Sequence, residues 1–136
     1  PLGAGDLGTI PFGPGRVLLI GGPPNAGKTV FVMQAVFDML RLTPDVKVVV
    51  LNVEMPPDAL LSRQLARFSG VPASTIRDRT FTATDRDKLA AGYAALAPLC
   101  ERVAFVQPPF TLENAVRTAQ EFGAKVLVLD YIQRIK

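Results

Sequence analysis

Histidine is absent from the chain and cysteine occurs once, at Cys100. One thiol cannot form a disulfide within the chain. Without histidine, neither a zinc site built on imidazole nor a Ser-His-Asp or Cys-His pair can be assembled. Cys100 therefore reads as a small apolar residue rather than a nucleophile, and a lone thiol fits a reducing, cytoplasmic setting. Long apolar runs are also missing. None approaches the ~18–20 residues that cross a bilayer, so no membrane partner is expected. Residues 1–15, PLGAGDLGTIPFGPG, have neither the basic start nor the apolar stretch of a secretory signal. Charge of one sign is concentrated nowhere: the net charge is +3 over 136 residues, and the arginines are scattered apart from the pairs Arg63/Arg67 and Arg77/Arg79. That describes a solvated, mildly basic surface, whereas a nucleic-acid footprint needs clustering.

What is present is a globular composition, 49% apolar and 20% charged, with length enough for one domain and a real core. Residues 1–15 read as an irregular, Gly/Pro-rich arm, and residues 16–136 as the domain proper. RVLLIG (16–21) is a short apolar run, as a strand buried on both faces should look. Residues 28 to about 42 carry apolar side chains at helical spacing, from Phe31 and Val32 through Ala35 and Val36 to Met39 and Leu40, and Pro44 stops them. VKVVVLN (46–52) is a second buried strand. Pro56, Pro57 and Asp58 open a helix that Gly70 ends. Residues 71–85 are polar, a short helix plus a loop. Thr84 with Asp87 forms a capping-box pattern, which predicts a helix from there towards Leu96. RVAFVQ (102–107) is a third strand, Thr111 caps a helix that Gly123 ends, and KVLVLDY (125–131) is a fourth strand. Four alternations of strand and helix, with no repeat, predict an α/β fold: a mostly parallel sheet with helices on both faces.

Between the first strand and the first helix lies Gly22-Pro23-Pro24-Asn25-Ala26-Gly27-Lys28-Thr29, which matches G-x-x-x-x-G-K-[ST] in the required context. Glycines let such a backbone wrap a phosphate chain, and the helix that follows, through Val30, offers unpaired N–H groups and its positive dipole end to the same anion. Lys28 can reach the β- and γ-phosphates of a nucleoside triphosphate, and the Thr29 hydroxyl can hold Mg²⁺. Asp130 ends an apolar strand, at the sheet edge where ligands bind in parallel α/β folds, and can orient the metal from the side opposite Thr29. Glu54 follows the second strand on the same rim. It can align or deprotonate an attacking water, or it can be a solvated loop residue near a helix start. Gln133 either reaches the γ-phosphate region or covers the sheet end.

GPPNAGKT, VVVLNVEM before a leucine-rich helix, SGVPASTIR, VAFVQPPFTLENAVRTA and VLVLDYIQRI occur in the order seen in RecA-like ATPase domains of DnaB-type replicative helicases. The resemblance covers residues 12–136, and VEM with DYIQ separates it from a generic P-loop protein. It implies a RecA-like P-loop NTPase core that uses ATP and Mg²⁺. Lys28 and Thr29 would be its Walker A residues, Asp130 its Walker B carboxylate and Glu54, in the position of the family's EM glutamate, its catalytic base. It also implies single-stranded DNA as a partner of the full-length protein and a homo-oligomer, a hexamer. The chain stops six residues after Asp130. In this family the DNA-binding loops, the arginine finger and the strand between the Walker A and Walker B strands come later. The expectation is therefore a domain truncated after the Walker B strand, with a gap in its sheet. A regulatory or assembly ATPase of the same fold that does not move along DNA is the alternative reading. A small-molecule kinase is a weaker third, since no lid or acceptor pocket can be identified.

Overall fold

The computed structural model describes residues 1–135. Helix α1 (Lys28–Leu42) leads to strand β1 (Val48–Asn52), followed by helices α2 (Pro57–Ser69), α3 (Ala73–Asp78) and α4 (Ala83–Cys100). Strand β2 (Val103–Phe105), helix α5 (Leu112–Phe122) and strand β3 (Val126–Asp130) complete the core. The three strands form one parallel sheet in the order β2-β1-β3.

The central strand explains why two layers of helix are needed. Val48, Val49, Val50 and Leu51 are all at most 1% exposed, so β1 is buried on both faces and reads as a continuous apolar run. Because side chains alternate along a strand, Val48 and Val50 share a cluster with Phe37 and Leu40 of α1, Leu60 of α2 and Leu96 and Leu99 of α4. Val49 and Leu51 face the other way, onto Val106, Ala115 of α5 and, around them, Phe110 and Phe122. Each fully buried side chain of this size stabilises the fold by about 1.5–3 kcal/mol. Helices therefore cover both faces, and the parallel α/β architecture is as expected.

The helix ends follow local chemistry. Pro57 occupies the first turn of α2, and Gly70, at φ 74°, closes it in the left-handed region. The Thr111 hydroxyl accepts the Asn114 N–H at 3.1 Å to start α5. The cap of α4 differs from expectation. TFTATDRD contains the spacing twice, and the structure uses Thr82 and Asp85 instead of Thr84 and Asp87. Thr82 is extended and its Oγ1 accepts the Asp85 N–H, while Asp85 Oδ2 accepts the Thr82 N–H, both at 3.1 Å. Thr84 already lies inside the helix as its second residue, so it lacks the extended backbone that a cap needs. The helix also runs past Leu96 to Cys100 with Pro98 inside it. Burial of Leu99 offsets the helix bond that Pro98 cannot make.

A second expectation fails. Residues 16–21 are not a strand: they carry no ladder, and the backbone bond there, from Arg16 N–H to Gly13 O, is a turn contact. Val17 and Leu19 are 96% and 82% exposed. An extended apolar segment becomes a strand only beside a neighbour that completes its hydrogen bonds. Among the described residues β3 has a bonded neighbour only on its β1 side. Three strands alternate with the helices, not four, and because residues 16–21 add no strand among the described residues, β3 is an edge of the sheet instead of one side of the expected gap. The N-terminal residues hold a single 3-10 turn, Gly5–Thr9, and Leu2 is buried against Ala35 and Met39. Among the described residues, no helix is long and apolar enough to cross a membrane.

Candidate nucleotide site

The loop from Gly22 to Gly27 is exposed and irregular. A bond from Ala26 N–H to Pro23 O at 3.2 Å tightens it, and Asn25 (φ 60°) and Gly27 (φ 91°) both turn through the left-handed region. At Gly27 that conformation costs nothing, because no Cβ is present. It lets α1 begin at once, with Phe31 N–H bonded to Gly27 O at 2.9 Å. The Lys28 ammonium folds back over the loop and donates to Gly22 O at 2.6 Å and Pro23 O at 3.1 Å. Val30, in the next position, is half exposed.

The first turn of α1 meets the tip of β3. Thr29 Oγ1 donates to Asp130 Oδ2 at 2.7 Å, joining residues 101 positions apart. Asn52 ends β1 directly beside Asp130 in the parallel register, and its Nδ2 donates to the same Oδ2 at 2.9 Å. Asn52 Oδ1 in turn accepts the N–H groups of Glu54 at 2.9 Å and Met55 at 2.7 Å. The Val53 N–H donates to Asp130 O at 3.1 Å, extending the ladder by one bond. Lys28, Thr29, Asp130 and the Glu54 backbone thus converge on the carboxyl-terminal rim of the sheet, where parallel α/β folds bind ligands.

Glu54 is exposed on the loop between β1 and α2, and among the described residues its carboxylate has no hydrogen-bond or ion-pair partner. Gln133 is exposed in the 3-10 turn Ile132–Arg134 and is not drawn into this network. Asn52 was missed from sequence: a polar residue at the end of VVVLN reads as the place where a strand stops. Its signal was the match to Asp130, the other polar residue ending an apolar strand, which becomes informative only once the register is known.

The donor set fits a hard cation and a phosphate chain. A threonine hydroxyl has one proton and two lone pairs, so donating to Asp130 leaves its lone pairs for a metal. Among the described residues no three acidic, histidine or cysteine side chains are grouped so as to hold a metal ion. A Mg²⁺ ion takes one or two protein oxygens and completes its shell with phosphate and water. The loop carries no acidic residue, and its one cation is satisfied by backbone carbonyls that phosphate oxygens would outcompete.

The other candidate features belong to the fold. Arg67 is held by Asp38 at 3.0 Å and by Gln64, and it stacks on Phe68, while Arg77 pairs with Asp78. Cys100 is half buried against the α1/α2/α4 core, and that burial raises its thiol pKa.

A parallel sheet with helices on both faces, and a glycine-rich loop leading into a helix whose first turn meets the aspartate at a strand tip, defines an α/β core of RecA-like type. The family model of the DnaB-like helicase C-terminal domain matches residues 6–136, and the chain belongs to that family, a class of helicase-type ATPase domains. A comparison with curated proteins found no match.

Proposed function

We propose that the chain binds Mg²⁺·ATP and hydrolyses its β–γ bond as part of a DnaB-like replicative helicase motor. The observation that supports this reading is the 2.7 Å bond between Thr29 and Asp130, which brings together the two residues we assign to the metal. The backbone of residues Gly22, Pro23, Pro24, Asn25, Ala26 and Gly27 wraps the phosphates, with the first N–H groups of α1, through Val30, at the helix's positive end. Lys28 exchanges the carbonyls of Gly22 and Pro23 for β- and γ-phosphate oxygens. Thr29 and Asp130 would hold the cation: the Thr29 hydroxyl would offer it a lone pair while still donating its proton in the hydrogen bond to Asp130, and the Asp130 carboxylate would orient the cation's water shell. Magnesium, when bound, neutralises charge on the β- and γ-phosphates. Glu54 accepts a hydrogen bond from the attacking water and takes its proton as oxygen bonds to the γ-phosphorus and the β–γ bridge leaves with ADP.

The test separates binding from turnover. Lys28→Ala should abolish nucleotide binding measured by fluorescent-nucleotide titration. Glu54→Gln should keep binding within about threefold and lower turnover by on the order of 10²–10⁴-fold, the range of general-base catalysis. Equal loss of binding in both variants contradicts the assigned roles. Single-stranded DNA, a homo-oligomeric ring of six and a cytoplasmic setting belong to the same reading. Stimulation of ATP turnover by single-stranded DNA supports the motor, and indifference supports the assembly module.

A further inference from the structure

We propose that Asn52 is the positioning residue that holds the Glu54 loop and the Asp130 carboxylate in one register, coupling the water side of the site to its metal side. The proposal rests on the ATPase reading above, but the geometry behind it is independent of any ligand. One planar amide makes three bonds: Nδ2 to Asp130 Oδ2 at 2.9 Å, and Oδ1 from Glu54 N–H at 2.9 Å and Met55 N–H at 2.7 Å. The amide orientation is determined by these partners, since the reverse assignment would set an oxygen against a carboxylate and an NH₂ against two N–H donors.

Two features separate this from an ordinary turn at a strand end. A side chain that only caps the loop after β1 needs an acceptor alone, and Asn52 spends its donor on a residue 78 positions away. Asp130 Oδ2 then receives two donors, Thr29 from α1 and Asn52 from β1, at 2.7 and 2.9 Å. Two donors on one oxygen fix the rotation of the carboxylate and leave Oδ1 without a hydrogen bond from the described residues. The same amide fixes where the Glu54 backbone leaves the sheet. Rotation of the carboxylate and position of the loop are thereby coupled through a rigid group of a few ångströms, in a half-buried place where water competes poorly for these bonds.

Residue chemistry makes the two halves separable. Asn52→Asp keeps the shape and the acceptor for Glu54 and Met55 but loses the donor and sets a second carboxylate against Asp130. Asn52→Ala loses both ends. In Asn52→Ala, amide hydrogen exchange at Glu54 and Met55 should speed up, while in Asn52→Asp it should stay near wild type. Turnover should fall by on the order of 10–100-fold in both, the usual cost of losing a residue that orients a metal ligand. KM for ATP should remain within about threefold, because the phosphate loop is untouched. Wild-type turnover in Asn52→Asp would overturn the proposal and leave Asn52 a loop cap. Unchanged exchange at Glu54 and Met55 in Asn52→Ala would also overturn it. So would parallel loss of KM, kcat and thermal stability in both variants, which marks a support of the fold alone. If the wild-type chain turns over no ATP, the ATPase reading fails, and exchange at Glu54 and Met55 in nucleotide-free Asp130→Ala decides the coupling: faster exchange supports it, and wild-type exchange overturns it.

Discussion

Arg102 shows how much one side chain can hold. Its guanidinium donates to the carbonyls of Leu40, Thr43 and Val46, closing the end of α1 and the approach to β1. The Leu40 and Thr43 carbonyls are orphan acceptors at a helix C-terminus, and a cation there also suits the helix dipole. Arg102→Ala should lower stability by about 2–3 kcal/mol, since bonds to a charged group contribute more than neutral ones. Arg102→Lys should recover only part, because an ammonium cannot reproduce the fork. The midpoint of urea unfolding, at unchanged m, measures both. Cys100 makes a pH prediction. Burial raises its pKa in the folded state, so above the ordinary value of about 8.5 the unfolded chain loses its proton first. The stability linked to this group is fully present below that value and is lost as pH rises through the folded pKa. Melting curves from pH 7 to 10 should show a steeper alkaline fall for wild type than for Cys100→Ala. The reading of Cys100 as a small apolar residue agrees with its half-buried place beside the core, but Arg102 looked like one more scattered surface charge. Its partners lie 56 to 62 positions away, beyond any local pattern.

At the scale of elements, the contact between α2 and α4 depends on a missing side chain. A Cβ on Gly92 would lie 2.6–2.8 Å from the Cβ, Cα and N of Ser69, the last residue of α2. Backbone atoms cannot yield as a flexible side chain could, so Gly92→Ala should cost about 1–3 kcal/mol as the helices separate. A fall of several degrees in Tm by calorimetry would record it. The start of α4 supplies a paired test. Thr82→Ala removes the cap and should cost about 1 kcal/mol, whereas Thr84→Ala should stay within about 0.5 kcal/mol of wild type. Helices α1, α2 and α5 were legible because their stops are chemical: Pro44, Gly70 and Gly123 sit where the pattern ends. The cap of α4 was ambiguous because both threonine–aspartate pairs satisfy the same spacing, and only the extended backbone at Thr82 chooses between them.

At the scale of the whole molecule, the sheet is open on the β3 side among the described residues, and residues 16–21 join no strand, with Val17 and Leu19 in solvent. An unpaired edge and exposed apolar residues invite association. Replacing Val17 and Leu19 together by lysine should leave Tm within ~1 °C, since exposed positions contribute little to stability. It should also reduce concentration-dependent association in sedimentation velocity. An equal loss of Tm would mean that this segment is packed in solution.

The chain's local chemistry determined its helices, its strands β1, β2 and β3 and the phosphate-loop spacing, because propensity, capping and periodicity act over a few residues. It also placed Asp130 at the end of an apolar run. Tertiary structure alone decided that Asp130 shares a rim with Asn52, that Asn52 spans Asp130 and the Glu54 loop, and that residues 16–21 remain unpaired. Each depends on strand register and on which neighbour completes a ladder, and hydrogen bonds between residues far apart in the chain leave no periodic trace along it.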